Sequence, residues 1–322
     1  MKTRFFLLLA LFACCTALAQ ERPVDASAQD VPDPDRTILF AQRDTCELLL
    51  DFYKAAPDAG PCADSPRKPL IIHVFGGAFL TGQRNQPDDR IWYRRLADAG
   101  YNVAAIDYRL GMKGVQAKSG LAFLKALRSA IQVAVDDLYS ATAYLVNNAS
   151  SLGIDPDKII VSGSSAGAMT ALQAEWEICN GLEPARVLPE RFNYAGILAF
   201  AGAVFSMDGT IRFPQTPCPV MLLHGTADRI VPYKKIAFFG IEFSGSHALA
   251  KKFAKAGANY QIYRFDGLGH EVAGSMRRNV PEELRFLEEN VIKGLHRTVD
   301  ALVEDAGMPD FGWAGMTARD LY

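Results

Sequence analysis

The segment Gly153-Ile154-Asp155-Pro156-Asp157-Lys158-Ile159-Ile160-Val161-Ser162-Gly163-Ser164-Ser165-Ala166-Gly167 decides how this chain is read. Residues 158–162 have the apolar, β-branched character of a short strand, and residues 166–177 that of a helix. Only the pentapeptide Gly163-Ser164-Ser165-Ala166-Gly167 joins them. A strand that turns into a helix so abruptly needs small residues on both sides of the turn, because larger side chains there would collide. Such a turn projects the Ser165 hydroxyl outward, and the N-terminus of the following helix adds positive potential at that spot. Glycine and serine are common in ordinary turns, so the pentapeptide takes its meaning from the strand–turn–helix setting.

Outward from this turn, strands and helices alternate. Residues 37–43 and 46–53 are strand-like, and 58–68, rich in Pro, Gly and Asp, read as a surface turn. Residues 70–75 are a continuous apolar run, as expected of a central strand covered on both faces. A helical stretch (91–99) and a strand (101–108) follow. Leu127, Ile131, Val135, Leu138 and Leu145 then recur at helical spacing within 121–146, which predicts a long amphipathic helix. Strands are expected at 195–201, 220–224 and 260–265, with a helix at 246–256. A closing helix is expected over 281–303, opened by Pro281. This rhythm predicts an α/β fold, a mostly parallel sheet with helices on both faces. No repeat, low-complexity tract or linker divides residues 20–322, so one domain is expected.

The chain has 322 residues, 49% hydrophobic and 22% charged, enough to bury a large core. Those proportions exclude disordered, collagen-like and small disulfide-scaffold classes. A net charge of −2 argues against nucleic-acid binding, which needs a basic face. At the start, Lys2 and Arg4 lead into an apolar run over 5–15, and Ala17-Leu18-Ala19 offers a small-residue cut before Gln20. That order reads as an export signal over residues 1–19, and predicts a secreted or periplasmic protein. The run is too short to span a bilayer as a helix. Leu11-Phe12-Ala13-Cys14 faintly resembles a lipoprotein cleavage box, but bulky Phe12 speaks against a lipid anchor at Cys14. Loss of Lys2 and Arg4 takes the charge from −2 to −4. Residues 20–36, with Pro23, Pro32 and Pro34, read as an irregular lead-in. Cys46, Cys62, Cys179 and Cys218 remain after the signal; they allow three pairings, and export makes one or two bridges plausible. No Cys/His spacing matches a zinc site, and no metal or organic cofactor is expected.

A reactive serine needs a base and an acid that orients it. His270 lies in the loop Asp266-Gly267-Leu268-Gly269-His270-Glu271 beyond the 260–265 strand, where a histidine can overhang the sheet edge. His73 and His224 fall inside apolar strands and suit structural hydrogen bonds; His247 and His296 fall in helical stretches and suit the surface. In the chain order Ser–Asp–His the acid lies between 165 and 270. Asp228, in the turn after the 220–224 strand, fits. Asp266 sits close enough to His270 to shape its loop instead, and Asp208 is a weaker competitor. Donors for a developing oxyanion are expected from Gly76, Gly77 and Ala78, just beyond the 70–75 strand, together with the Ala166 N–H.

These pieces together resemble an α/β-hydrolase of the carboxylesterase/lipase group. The matching residues are Gly76-Gly77-Ala78-Phe79 with Gly82, Asp107-Tyr108-Arg109-Leu110, the Gly153–Gly167 segment, His224–Asp228 and Gly269-His270. The resemblance implies Ser165 as nucleophile, His270 as base, Asp228 as acid, and Gly77, Ala78 and Ala166 as oxyanion donors. Many relatives carry His directly before the glycines; here Phe75 holds that place and His73 lies two residues earlier. The implied activity is hydrolysis of a carboxylic ester. Only 15 residues separate Ala201 from Pro217, where lipase-like relatives carry a lid, which predicts a shallow, open site. Such a site suits short acyl groups on bulky alcohols, with acetyl or feruloyl esters of polysaccharides as the analogy-based expectation. The competing readings are a lipase, a prolyl-oligopeptidase-type peptidase and an inactive hydrolase-fold binding protein.

Overall fold

The computed structural model describes residues 31–322, apart from 118, 310–312 and 314; the expected export signal and Cys14 lie outside the described residues. Two antiparallel strands, β1 (Arg36–Gln42) and β2 (Glu47–Tyr53), begin the main sheet. The parallel part is built from β3 (Lys68–Val74), β4 (Asn102–Ile106), β5 (Ile154–Ser164) and β6 (Gly196–Phe200). Strand β7 (Ala203–Ser206) lies apart, and the main sheet resumes with β8 (Val220–Gly225). The remaining strands are β9 (Lys235–Phe238), β10 (Ile241–Gly245), β11 (Tyr260–Phe265) and β12 (Val299–Val303). Among the described residues, nine strands form the main sheet in the order β1-β2-β4-β3-β5-β6-β8-β11-β12, with every pairing from β4 to β12 parallel.

Between the strands run α1 (Pro87–Asp98), α2 (Gly120–Asn147), α3 (Ala149–Leu152), α4 (Ala166–Cys179), α5 (Ser246–Lys255) and α6 (Val280–Phe286). Every residue of β3, β4, β6 and β8 is buried, which is why these strands read as apolar runs without alternation. Two cores result. One packs α2 and α4 on one face through Leu127, Ile131, Leu138 and Leu172; the other packs α1 and α6 opposite through Trp92, Leu96 and Phe286. In parallel sheets of this kind the carboxyl ends of the strands open onto the loops where ligands bind. Ser165, Asp228 and the Gly76-Gly77-Ala78 turn all sit at that end, beyond β5, β8 and β3.

Three expectations need correction. The closing helix does not reach residue 303. It ends in a π-turn at Leu287–Ile292, Gly294 takes a left-handed φ of 65°, and residues 299–303 return as the edge strand β12 beside β11. A glycine in that conformation stops a helix, and the apolar residues after it pair as strand instead. His296 therefore lies in an exposed loop and not on a helix. Second, β7, β10 and β9 form a separate antiparallel sheet that the sequence pattern did not announce. Third, no cysteine bridge is present among the described residues: Cys46, Cys62, Cys179 and Cys218 are all free, and the Cys179 thiol donates to Glu175 Oε1 at 3.4 Å. No helix among the described residues is long and apolar enough to cross a membrane.

Candidate active site

The turn between β5 and α4 is as tight as the pentapeptide requires. Ser165 has φ 53° and ψ −115°, a conformation that costs a non-glycine residue about 1–3 kcal/mol and persists only where its surroundings hold it. A Cβ on Gly163 would stand 2.3 Å from the Gly167 carbonyl oxygen, and one on Gly167 would stand 1.9 Å from the Val74 oxygen. Both glycines are thus fixed by packing of the turn on itself and on β3. The Ser165 N–H donates to the Phe200 carbonyl at 2.8 Å, and Ser164 Oγ donates to the Ala273 carbonyl at 2.7 Å. The second bond docks the loop that carries His270 onto the turn.

The three residues picked from chain order come together. Ser165 Oγ lies 2.8 Å from His270 Nε2, and His270 Nδ1 lies 2.8 Å from Asp228 Oδ2. His270 is 3% exposed and Asp228 8%, so the line of three is largely withdrawn from water beneath the serine. The Asp228 loop and the His270 loop touch closely: a Cβ on Gly225 would meet the Gly269 oxygen at 2.2 Å and the Leu268 oxygen at 2.3 Å.

Asp228 has more partners than the sequence suggested. Its Oδ1 accepts the N–H groups of Ile230 at 2.8 Å and Val231 at 3.0 Å. Its Oδ2 is shared by His270 and by His224, whose Nε2 approaches to 3.1 Å. The same Nε2 faces the Val231 carbonyl at 3.2 Å, which can only accept, so Nε2 carries the proton and Nδ1 accepts from Ser246 Oγ at 2.8 Å. Burial alone would raise the Asp228 carboxyl; the hydrogen bonds from His224 and His270 outweigh it and hold it well below the ordinary carboxylate range. Asp228 is therefore an anion at neutral pH. His224 makes the structural hydrogen bonds its strand position suggests, but its partner is the candidate acid itself. Asp266 accepts from Thr226 Oγ1 at 3.2 Å and braces the loop, whereas Asp208 pairs with Arg128 on the surface.

Gly76, Gly77 and Ala78 line the turn facing Ser165. A Cβ on Gly76 would lie 3.2 Å from the Ser165 Cβ, so this backbone passes directly over the serine. Gly77 has φ 129°, and Ala78 and Phe79 both sit at positive φ, 57° and 58°. Among the described residues, the N–H groups of Gly77, Ala78 and Ala166 have no protein acceptor. Unpaired donors at a helix N-terminus and an adjoining turn are what a developing oxyanion needs.

The Asp107-Tyr108-Arg109 stretch braces that turn. Tyr108 packs its ring 4.4 Å from Phe75 and 6.2 Å from Phe79, and its hydroxyl donates to the Phe75 carbonyl at 3.1 Å. Asp107 accepts from Arg84 at 2.7 Å, and Arg109 holds the fully buried Asp137 through Nε and Nη2 at 2.8 Å. Phe75, standing where many relatives have histidine, is a packing partner of Tyr108. His73 points away from the serine, into Trp92 and Tyr93.

Fold and site together define an α/β-hydrolase of the esterase type. The chain belongs to the phospholipase/carboxylesterase family, whose model matches residues 124–287. A second family model, BD-FAE, matches residues 59–180. Curated relatives include a probable isoprenylcysteine α-carbonyl methylesterase of Oryza sativa subsp. japonica, 35% identical over 104 residues, or 32% of this chain and 20% of that protein. An ethyl acetate hydrolase of Pseudomonas putida is 27% identical over 146 residues, 45% of this chain and 40% of that one. The chain thus spans well under two thirds of the length of these relatives. Among solved structures, the propionate-bound esterase 2 of Thermogutta terrifontis superposes with a TM-score of 0.58 at 22% identity, covering 80% of this chain and 95% of that one.

Proposed function

We propose that the chain is a serine-dependent carboxylic ester hydrolase with Ser165, His270 and Asp228 as its catalytic residues. The observation that carries this reading is the unbroken line from Ser165 Oγ through the His270 ring to an anionic Asp228. His270 Nε2 takes the hydroxyl proton as Ser165 Oγ attacks the ester carbonyl. Asp228 holds Nδ1–H and stabilises the imidazolium that forms. The oxyanion is received by the N–H groups of Gly77, Ala78 and Ala166. His270 then returns the proton to the departing alcohol, and a water activated the same way releases the acid from Ser165.

Short acyl groups on bulky alcohols, acetyl or feruloyl esters of polysaccharides among them, are the substrates we favour. In support, residues 201–219 contribute one four-residue strand and no helix, so no helical lid stands over the serine from that side. The relatives' names point the same way: one is called an ethyl acetate hydrolase, and a fold neighbour holds propionate. We also propose that residues 1–19 direct export, which N-terminal sequencing of the mature protein checks by a start at Gln20. Hydrolysis of p-nitrophenyl esters from acetate to long acyl chains, with Ser165→Ala alongside, tests the reaction. Mutant-sensitive turnover that declines with acyl length is expected; activity on long chains alone, or full turnover by the variant, contradicts it.

A further inference from the structure

The C-terminal residues return to the catalytic loops, a placement no motif announced. The Trp313 ring packs edge-on against the His270 ring, 5.5 Å between centroids and 62° between planes. The Ala318 N–H reaches the Arg229 carbonyl, next to Asp228, at 3.4 Å. The last residue, Tyr322, donates its hydroxyl to the Ala78 carbonyl at 2.8 Å and sets its ring 4.9 Å from Phe123, near the start of α2. Between these anchors, Thr317 and Asp320 close a reciprocal capping box, and Met316 and Leu321 rest on the main core. One short segment thus touches the base, the loop of the acid and the oxyanion turn.

This arrangement has a chemical consequence, given the ester-hydrolase reading on which it rests. In the tetrahedral intermediate the oxyanion points to the N–H groups of Gly77, Ala78 and Ala166. The departing alcohol oxygen points the other way, toward His270 Nε2, which must protonate it. An indole set against the His270 ring therefore borders the alcohol side of the ester. We propose that Trp313 is the specificity-determining residue for the alcohol, a wall onto which a bulky alcohol such as a sugar ring packs, and that Tyr322 anchors the segment so that the wall keeps its place. The fold thereby builds its alcohol site from the chain end rather than from an insert between β6 and β8. An indole is suited to the task because it offers a large, rigid apolar face.

The test compares two substrate series. One keeps the acetyl group and enlarges the alcohol, from ethyl acetate through phenyl acetate to an acetylated methyl xyloside. The other keeps p-nitrophenol and lengthens the acyl chain. In Trp313→Ala, kcat/KM for the xyloside acetate relative to ethyl acetate is expected to fall about tenfold, mainly through KM, the size of one aromatic packing contact. The order of acyl preference is expected to stay as in the wild type. Trp313→Phe keeps an aromatic face and should restore most of the ratio. Tyr322→Ala leaves the indole in place but removes its anchor; it should shift the ratio in the same direction by less, and it decides the question if Trp313→Ala does not fold. A ratio within twofold of wild type in the alanine variants, an equal loss on every alcohol, or a change in acyl order instead overturns the proposal. A wild type that hydrolyses none of these esters overturns the ester-hydrolase reading itself.

Discussion

Two buried histidines at the carboxyl-end half of one sheet have opposite surroundings. His73, near the end of β3, is enclosed by Trp92 and Tyr93, touches Ser162 Oγ at 3.3 Å, and leaves its Nε2 without a partner among the described residues. Burial pushes its imidazole down to about 3, so it stays neutral and takes up no proton during any reaction near pH 7. His270 is equally buried, but a carboxylate lies 2.8 Å from its Nδ1 and a hydroxyl 2.8 Å from its Nε2. Burial alone makes an inert histidine. Burial between a carboxylate and a hydroxyl is the setting the proposed base requires.

That contrast can be broken or sharpened by substitution. His270→Gln keeps a polar side chain but no base; ester turnover should fall by roughly 10⁴-fold or more while the melting temperature moves little. The same activity assay on His73→Phe should stay within a few-fold of wild type, and a comparable collapse there would erase the distinction. Asp228→Asn removes the anion and leaves His270 without its orienting charge, for an expected loss of about 10⁴-fold in kcat. His224→Phe takes one of four donors from Asp228, with an expected loss of about tenfold. His224→Gln, which keeps a donor toward Asp228 Oδ2, should restore most of that loss. An equal loss in His224→Gln would show that His224 only fills space.

The last effect concerns stability and not turnover. His73 titrates near 6.5 when unfolded and near 3 when folded, so between these values the unfolded chain binds the extra proton. Its contribution to stability is therefore fully present above about 6.5 and is lost as the pH falls, at up to about 1.4 kcal/mol per pH unit. Urea unfolding of wild type and His73→Phe at pH 7, 5.5 and 4 should give a gap that shifts in favour of the variant as the pH drops. Parallel curves would contradict this account of His73.

How much of this was legible in the sequence follows the same physical line. Local geometry was readable: Gly163 and Gly167 flank Ser165 because a Cβ there would strike backbone, and that requirement leaves its mark within five residues. Chain order also carried far, since Asp228 and His270 each follow a strand of one parallel sheet. What stayed hidden depends on contacts between distant segments. His224 lies in an apolar strand and gives no sign that its ring reaches Asp228. Tyr108 reads as one more buried aromatic until its hydroxyl is seen on the Phe75 carbonyl. Trp313 and Tyr322 follow the last motif, and nothing in the sequence says where that tail docks. The helix expected over 281–303 differs in kind: Gly294 stands in the sequence, and its left-handed conformation ends the helix and leaves 299–303 to pair as a strand.

The central claim is that Ser165 is the nucleophile. Treatment with a serine-directed organophosphonate, followed by intact mass and peptide mapping, addresses it directly. The account predicts one covalent adduct per chain, placed on Ser165 and not on its neighbour Ser164, and loss of labelling in both Ser165→Ala and His270→Gln. An unlabelled wild type, or an adduct that persists in Ser165→Ala, would contradict it.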